Sequence, residues 1–117
     1  MPLESQVAEK LHAYTRTYKG GGTTRARDLV DLLLIHQHAR VDAVLLEKAV
    51  RRVFDRRATH ALPERLPAPP RALAIAHRQE ATRVGVATGL GEAHQLLATW
   101  LDPYLAGIHR ARERPGT

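Results

Sequence analysis

Leu3, Val7, Leu11, Tyr14 and Tyr18 recur at steps of three and four residues. That spacing puts them on one stripe of a first helix over residues 3–18. A second helix is predicted from Arg25 to His36. Its apolar residues Leu29, Val30, Leu32, Leu33, Leu34 and Ile35 cover most of its circumference, as expected of a buried central helix. A third runs from Asp42, a capping residue, to Arg57, with Leu45, Leu46, Ala49, Val50, Val53 and Phe54 as its inner stripe. Prolines at 63, 67, 69 and 70 exclude a continuous helix over 59–70 and predict an extended strap laid across the bundle. A fourth helix starts directly after Pro70 and runs to Val84, and 85–91 reads as a loop. A fifth covers 92–101, with Leu96, Leu97 and Trp100 inward. Asp102-Pro103 is expected to interrupt it and 104–107 to close it. The pattern therefore predicts an all-α domain of about five helices over 1–107, with a flexible basic tail over 108–117.

The chain has 117 residues, enough for one domain with a core that needs no staples. It contains no cysteine, which excludes disulfides and thiolate zinc sites and fits a reducing compartment. No apolar run approaches the ~20 residues that span a bilayer, and the polar N-terminus does not read as a signal peptide. The expected location is the cytoplasm. With 18 Lys+Arg against 12 Asp+Glu, the net charge of +6 favours anionic partners such as nucleotides or RNA. Aromatic residues make up only 4%, so platforms for stacking bases are nearly absent.

Candidate chemistry gathers between residues 9 and 35. Lys10 flanks the apolar stripe of the first helix, where it can snorkel to solvent or aim its ammonium into a cleft. Gly20-Gly21-Gly22 ends that helix, and Thr23 or Thr24 caps the next. A glycine-rich turn opening a helix presents free backbone N–H groups to phosphate, with Arg25 and Arg27 beside it. Lysine precedes the glycines, so this is not a Walker loop. Asp28 and Asp31 share one edge of the second helix and need partners there. One reading pairs Arg27 with Asp31 at i,i+4 and gives Asp28 a dipole role in the first turn. The other converges Lys10 and both aspartates on a nucleotide. His36 and His38 point to different faces, and no histidine has zinc-motif spacing, so no metal site is expected. Lys48, Arg51, Arg52, Arg56 and Arg57 make the outer side of the third helix the most basic surface. It is either an ordinary solvated face or an RNA contact.

The run Glu9-Lys10-Leu11-His12-Ala13, a glycine-rich loop, then Arg25-Ala26-Arg27-Asp28-Leu29-Val30-Asp31 and an apolar run resembles the AbiEii/AbiGii-type nucleotidyltransferase toxins. The Thr59-His60-Ala61-Leu62-Pro63 strap also resembles their C-terminal region. The resemblance spans about residues 3–107. It implies the helical C-terminal part of an α/β nucleotidyltransferase fold, serving toxin–antitoxin or phage-defence systems with a nucleoside triphosphate and Mg²⁺, often on tRNA.

Carried over, Lys10 and Asp28 would be catalytic, Thr24, Arg25 and Arg27 would bind phosphate, and Asp31 would support them. Lys48, Arg51, Arg52 and Arg56 are the candidate RNA contacts. Arg27 stands where the family commonly has lysine. The family's Gly-Ser and Asp-x-Asp core lies upstream, where only Met1 to Ser5 stand here. The expectation is thus a truncated or partial toxin, inactive alone, with an antitoxin encoded nearby. Two alternatives stay open. One is a small basic helical module that binds RNA or nucleotide. The other is a structural domain that self-associates, as a homodimer, through the core-facing side of the second helix.

Overall fold

The computed structural model describes residues 1–16, 22–58 and 60–112, apart from the side chains of residues 22–24. The glycine-rich loop up to Gly21, the last residues expected of the first helix, the capping hydroxyl of Thr24 and residues 113–117 of the tail lie outside the described residues. Among the described residues, five helices make the fold: α1 (Leu3–Thr15), α2 (Gly22–His38), α3 (Ala43–Arg57), α4 (Ala74–Val84, led in by a 3-10 turn over Arg71–Leu73) and α5 (Leu90–Arg112). No strand occurs among the described residues.

α2 is the axis of the bundle. It packs on α1, α4, α5 and the 3-10 turn, and Ala26, Leu29, Val30, Leu32 and Leu33 are buried. It begins three residues earlier than the apolar pattern indicated, because Ala26 packs inward in what becomes its second turn. The large exposed hydrophobics among the described residues are Met1, Val44, Leu45, Ile75 and Leu96, none of them on α2. The face expected to be bare and to drive self-association is therefore covered within the chain.

Asp42 caps α3 as expected, its carboxylate accepting the Leu45 N–H at 2.9 Å. Glu4 of α1 in turn accepts the Asp42 N–H at 3.0 Å, tying the start of α3 to α1. Leu45 departs from the expected stripe and is 51% exposed. At 100° per residue it lies about 100° round the helix from the centre of the stripe formed by Leu46, Ala49, Val50, Val53 and Phe54. α3 ends on Ala58 in the left-handed region, φ 49°, a conformation that favours glycine. α4 ends on Gly85 at φ 77°, the residue suited to that role.

The proline-rich strap seats Leu62 and Leu66 in the core, and side chains of the helices satisfy its backbone. The Leu66 N–H donates to Asp102 at 2.7 Å, and the Tyr14 hydroxyl donates to the Pro67 carbonyl at 2.9 Å. His94 donates to the Leu66 carbonyl at 3.0 Å and His109 to that of Leu62 at 2.8 Å. Extended backbone in a protein interior needs such partners.

α5 is not interrupted. Pro103 sits inside one helix that runs from Leu90 to Arg112. Proline deprives the Thr99 carbonyl of its N–H partner, but Pro103 and Thr99 are both exposed, so water can serve it. Ala93, Leu97, Leu101, Leu105 and Ile108 form one fully buried stripe through the proline. Leu96, expected inward, is partly exposed. Ile108, expected in the tail, is core, and Arg112 pairs with Asp55 at 2.8 Å. Trp100 packs as expected, stacked on His36 with ring centroids 4.8 Å apart.

Candidate functional site: the Lys10–Asp31–Asp28 cleft

α1 and α2 cross so that Lys10 Nζ lies 2.8 Å from Asp31 Oδ2. Asp28, one turn earlier on α2, is 8% exposed. The three residues that the motif separates by up to 21 positions thus converge. The alternative pair does not form: Arg27 turns away and bonds Glu80 of α4 at 3.3 Å, and Glu80 also holds Arg83 at 2.9 Å. Nor does Asp28 sit in the first helical turn, since α2 opens at Gly22; the dipole role expected for it is lost.

Asp28 is the unusual group. Burial pushes its carboxyl up to about 6, Lys10 pulls it down and Asp31 pushes it up further. Its Oδ2 is buried without a hydrogen-bond partner among the described residues. A buried carboxylate whose value lies this close to neutral suits proton transfer.

A cleft of about 310 Å³ opens beside these residues, lined by Glu9, Lys10, His12, Arg16, Asp28 and Arg57. Arg16 comes from the end of α1 and Arg57 from the end of α3. Behind the lining His12, its ring packs 4.5 Å from that of His60 and 4.9 Å from that of Phe54. His60 is fixed by Thr15, whose hydroxyl lies 2.8 Å from its Nε2. Burial first, then the neighbouring positive charges, keeps His12 and His60 below the usual imidazole value. Glu9 is bonded by Arg57 and Arg56. The Arg57 hydrogen bond, the largest influence, helps hold its carboxyl below the usual range.

Of the residues singled out for phosphate, Arg25 donates to the Arg16 carbonyl at 2.7 Å and so buttresses the cleft without lining it. Arg27 is committed to α4, and the Thr24 side chain lies outside the described residues. The basic side of α3 is largely engaged: Arg51 pairs with Glu47 at 3.2 Å, Arg56 with Glu9 at 2.9 Å, and Arg52 bonds Ser5 at 3.0 Å. Lys48 remains exposed. Glu9, His12, Arg16 and Arg57 were missed as cleft residues. Glu9 and Arg57 meet across 48 positions, and no local spacing announces that.

A magnesium site does not fit these residues. Asp31 is committed to Lys10, and Glu9, the other carboxylate lining the cleft, is held by Arg56 and Arg57, which leaves Asp28 as a single carboxylate. No group of three or more His, Asp or Glu able to hold an ion occurs among the described residues.

The family model described as nucleotidyl transferase AbiEii toxin, type IV TA system, matches residues 1–99, a span that contains the whole cleft. No curated protein and no solved structure matches the chain.

Proposed function

The chain belongs to the AbiEii nucleotidyl transferase toxin family, and from that premise we propose that the cleft binds and positions the nucleotide of a toxin's transfer reaction. The observation that carries the reading is that Lys10, paired with Asp31, and the buried Asp28 open on one cleft. Lys10 supplies a positive charge for a phosphate, held in place by Asp31. Asp28, with a value of about 6, accepts a proton from an attacking hydroxyl. Nucleotidyltransferases generally use a nucleoside triphosphate with Mg²⁺, which supplies charge neutralisation during transfer. No group of three or more ligands for that ion occurs among the described residues, and the role proposed for the cleft is to bind and position the nucleotide. Labelling of tRNA from a nucleoside triphosphate and Mg²⁺ by the purified chain should stay at background.

A toxin–antitoxin family implies an antitoxin partner, and the proposed setting is phage defence in the cytoplasm. No described helix is long and apolar enough to cross a membrane. A homodimer, in this reading, would use the exposed Val44–Leu45 end of α3 and not α2. An NMR titration with ATP tests the central proposal. Binding in the millimolar to sub-millimolar range is expected, roughly −4 to −6 kcal/mol, with shifts centred on Lys10, Asp28 and Asp31. Lys10→Ala should abolish them. Shifts confined to Lys48 and Arg52 would instead favour a general RNA-binding surface.

A further inference from the structure

We propose that Arg57 and Arg16 form the polyphosphate-binding wall of this cleft, and that Glu9 occupies Arg57 as an internal stand-in for phosphate until an anion displaces it. The proposal rests on the reading of the cleft as a nucleotide site and adds the groups that grip the charge.

Three facts support it. First, Arg16 and Arg57 line the same opening as Lys10 although they arrive from different helix ends. Both arginines also help lower the imidazole of His12, which lines the cleft, so both positive charges are felt inside. Second, Glu9 takes hydrogen bonds from both Nε and Nη2 of Arg57, one to each carboxylate oxygen. That two-pronged geometry is the one a guanidinium offers equally to a phosphate. Arg56 adds a bond to the same carboxylate at 2.9 Å. Third, the Arg56 and Arg57 side chains are 60% and 45% exposed, and ion pairs so open to water contribute little and exchange easily.

The ligand class follows from oxygen count. A carboxylate has two oxygens and is saturated by Arg57 and Arg56. Lys10, Arg16 and Arg57 all line the opening, and a di- or triphosphate has enough charged oxygens to meet all three. Arg25, by bonding the Arg16 carbonyl, fixes the backbone from which the Arg16 side chain reaches.

The experiment is a calorimetric titration of the full chain with inorganic tripolyphosphate, and with ATP in parallel. Glu9→Gln keeps the shape and removes the charge. It should tighten tripolyphosphate binding by about three- to tenfold, the size of one unit charge acting across several ångströms in a solvated cleft. Because this is a gain, partial unfolding cannot imitate it. Arg57→Ala and Arg16→Ala should each weaken binding of both ligands by a similar factor. Glu9→Gln binding no tighter than wild type, or Arg57→Ala binding as well as wild type, overturns the proposal. If Lys10→Ala abolishes ATP binding while both arginine variants leave it intact, the nucleotide reading survives and this one fails. Tripolyphosphate that binds identically to all four variants sinks both.

Discussion

Lys10 and Asp31, 21 positions apart, are joined by a 2.8 Å ion pair that links α1 to α2 at the mouth of the cleft. Both side chains are about one-third exposed, so the pair is a weak contributor to folding. Its effect is positional: it keeps an ammonium beside the buried Asp28. A Lys10→Ala, Asp31→Ala double-mutant cycle in urea should return a coupling of about 0.5–1 kcal/mol. A coupling several times larger would mean the pair serves the fold more than the site.

Asp28 makes a prediction about pH. Its folded value of about 6 lies above the ordinary 3.8, so the folded state favours the protonated form. Stability from this group is fully present below about pH 4 and is lost as pH rises through 6. Asp28→Asn should remove that dependence. The stability difference, variant minus wild type, should grow by about 2 kcal/mol between pH 4 and 7. Taking the difference cancels His12 and His60, whose lowered values work in the opposite sense: their contribution is lost as pH falls below the ordinary imidazole value. Urea melts at four pH values suffice, and a flat difference would show that Asp28 is ionised normally.

The strap depends on side chains that reach it from α1 and α5. Asp102→Ala leaves the Leu66 N–H without its partner and should cost about 1–3 kcal/mol. Tyr14→Phe removes only the hydroxyl that reaches Pro67 and should cost about 1 kcal/mol. The Tyr14 phenol, pushed by burial up to about 12, should also resist ionisation in an alkaline absorbance titration. Both variants should speed limited proteolysis within 60–70; unchanged cleavage would show that Leu62 and Leu66 alone hold the strap.

Two substitutions should stabilise the protein. Ala58→Gly relieves a left-handed alanine at the end of α3 and should add about 0.5–1 kcal/mol. Pro103→Ala restores the missing N–H inside α5 and should add about 1–3 kcal/mol. Thermal melts read both. A loss at Pro103→Ala would reveal that the proline ring has a packing role against Tyr104 and the start of α3.

The helices were legible because a helix is a local object. Asp42, Pro70 and Gly85 mark ends that any chain with those residues would respect, and the apolar spacing of α1, α2 and α3 follows from 3.6 residues per turn. Even the continuity of α5 was written in the sequence. Ala93, Leu97, Leu101, Leu105 and Ile108 keep helical spacing straight through Pro103, and a stripe that buries five side chains outweighs one lost hydrogen bond on the wet side. The motif likewise named Lys10, Asp28 and Asp31. What it did not fix was the partner of each charge. Asp31 had Arg27 within reach on its own helix, yet took Lys10, while Arg27 took Glu80 from 53 positions away. An i,i+4 pair on a helix is worth only a few tenths of a kcal/mol. Such a preference is overruled once burial of α2 decides which neighbouring helix each edge faces. Arg16 and Arg57 entered the cleft for the same reason: helix ends meet only where the packing of the whole bundle brings them together.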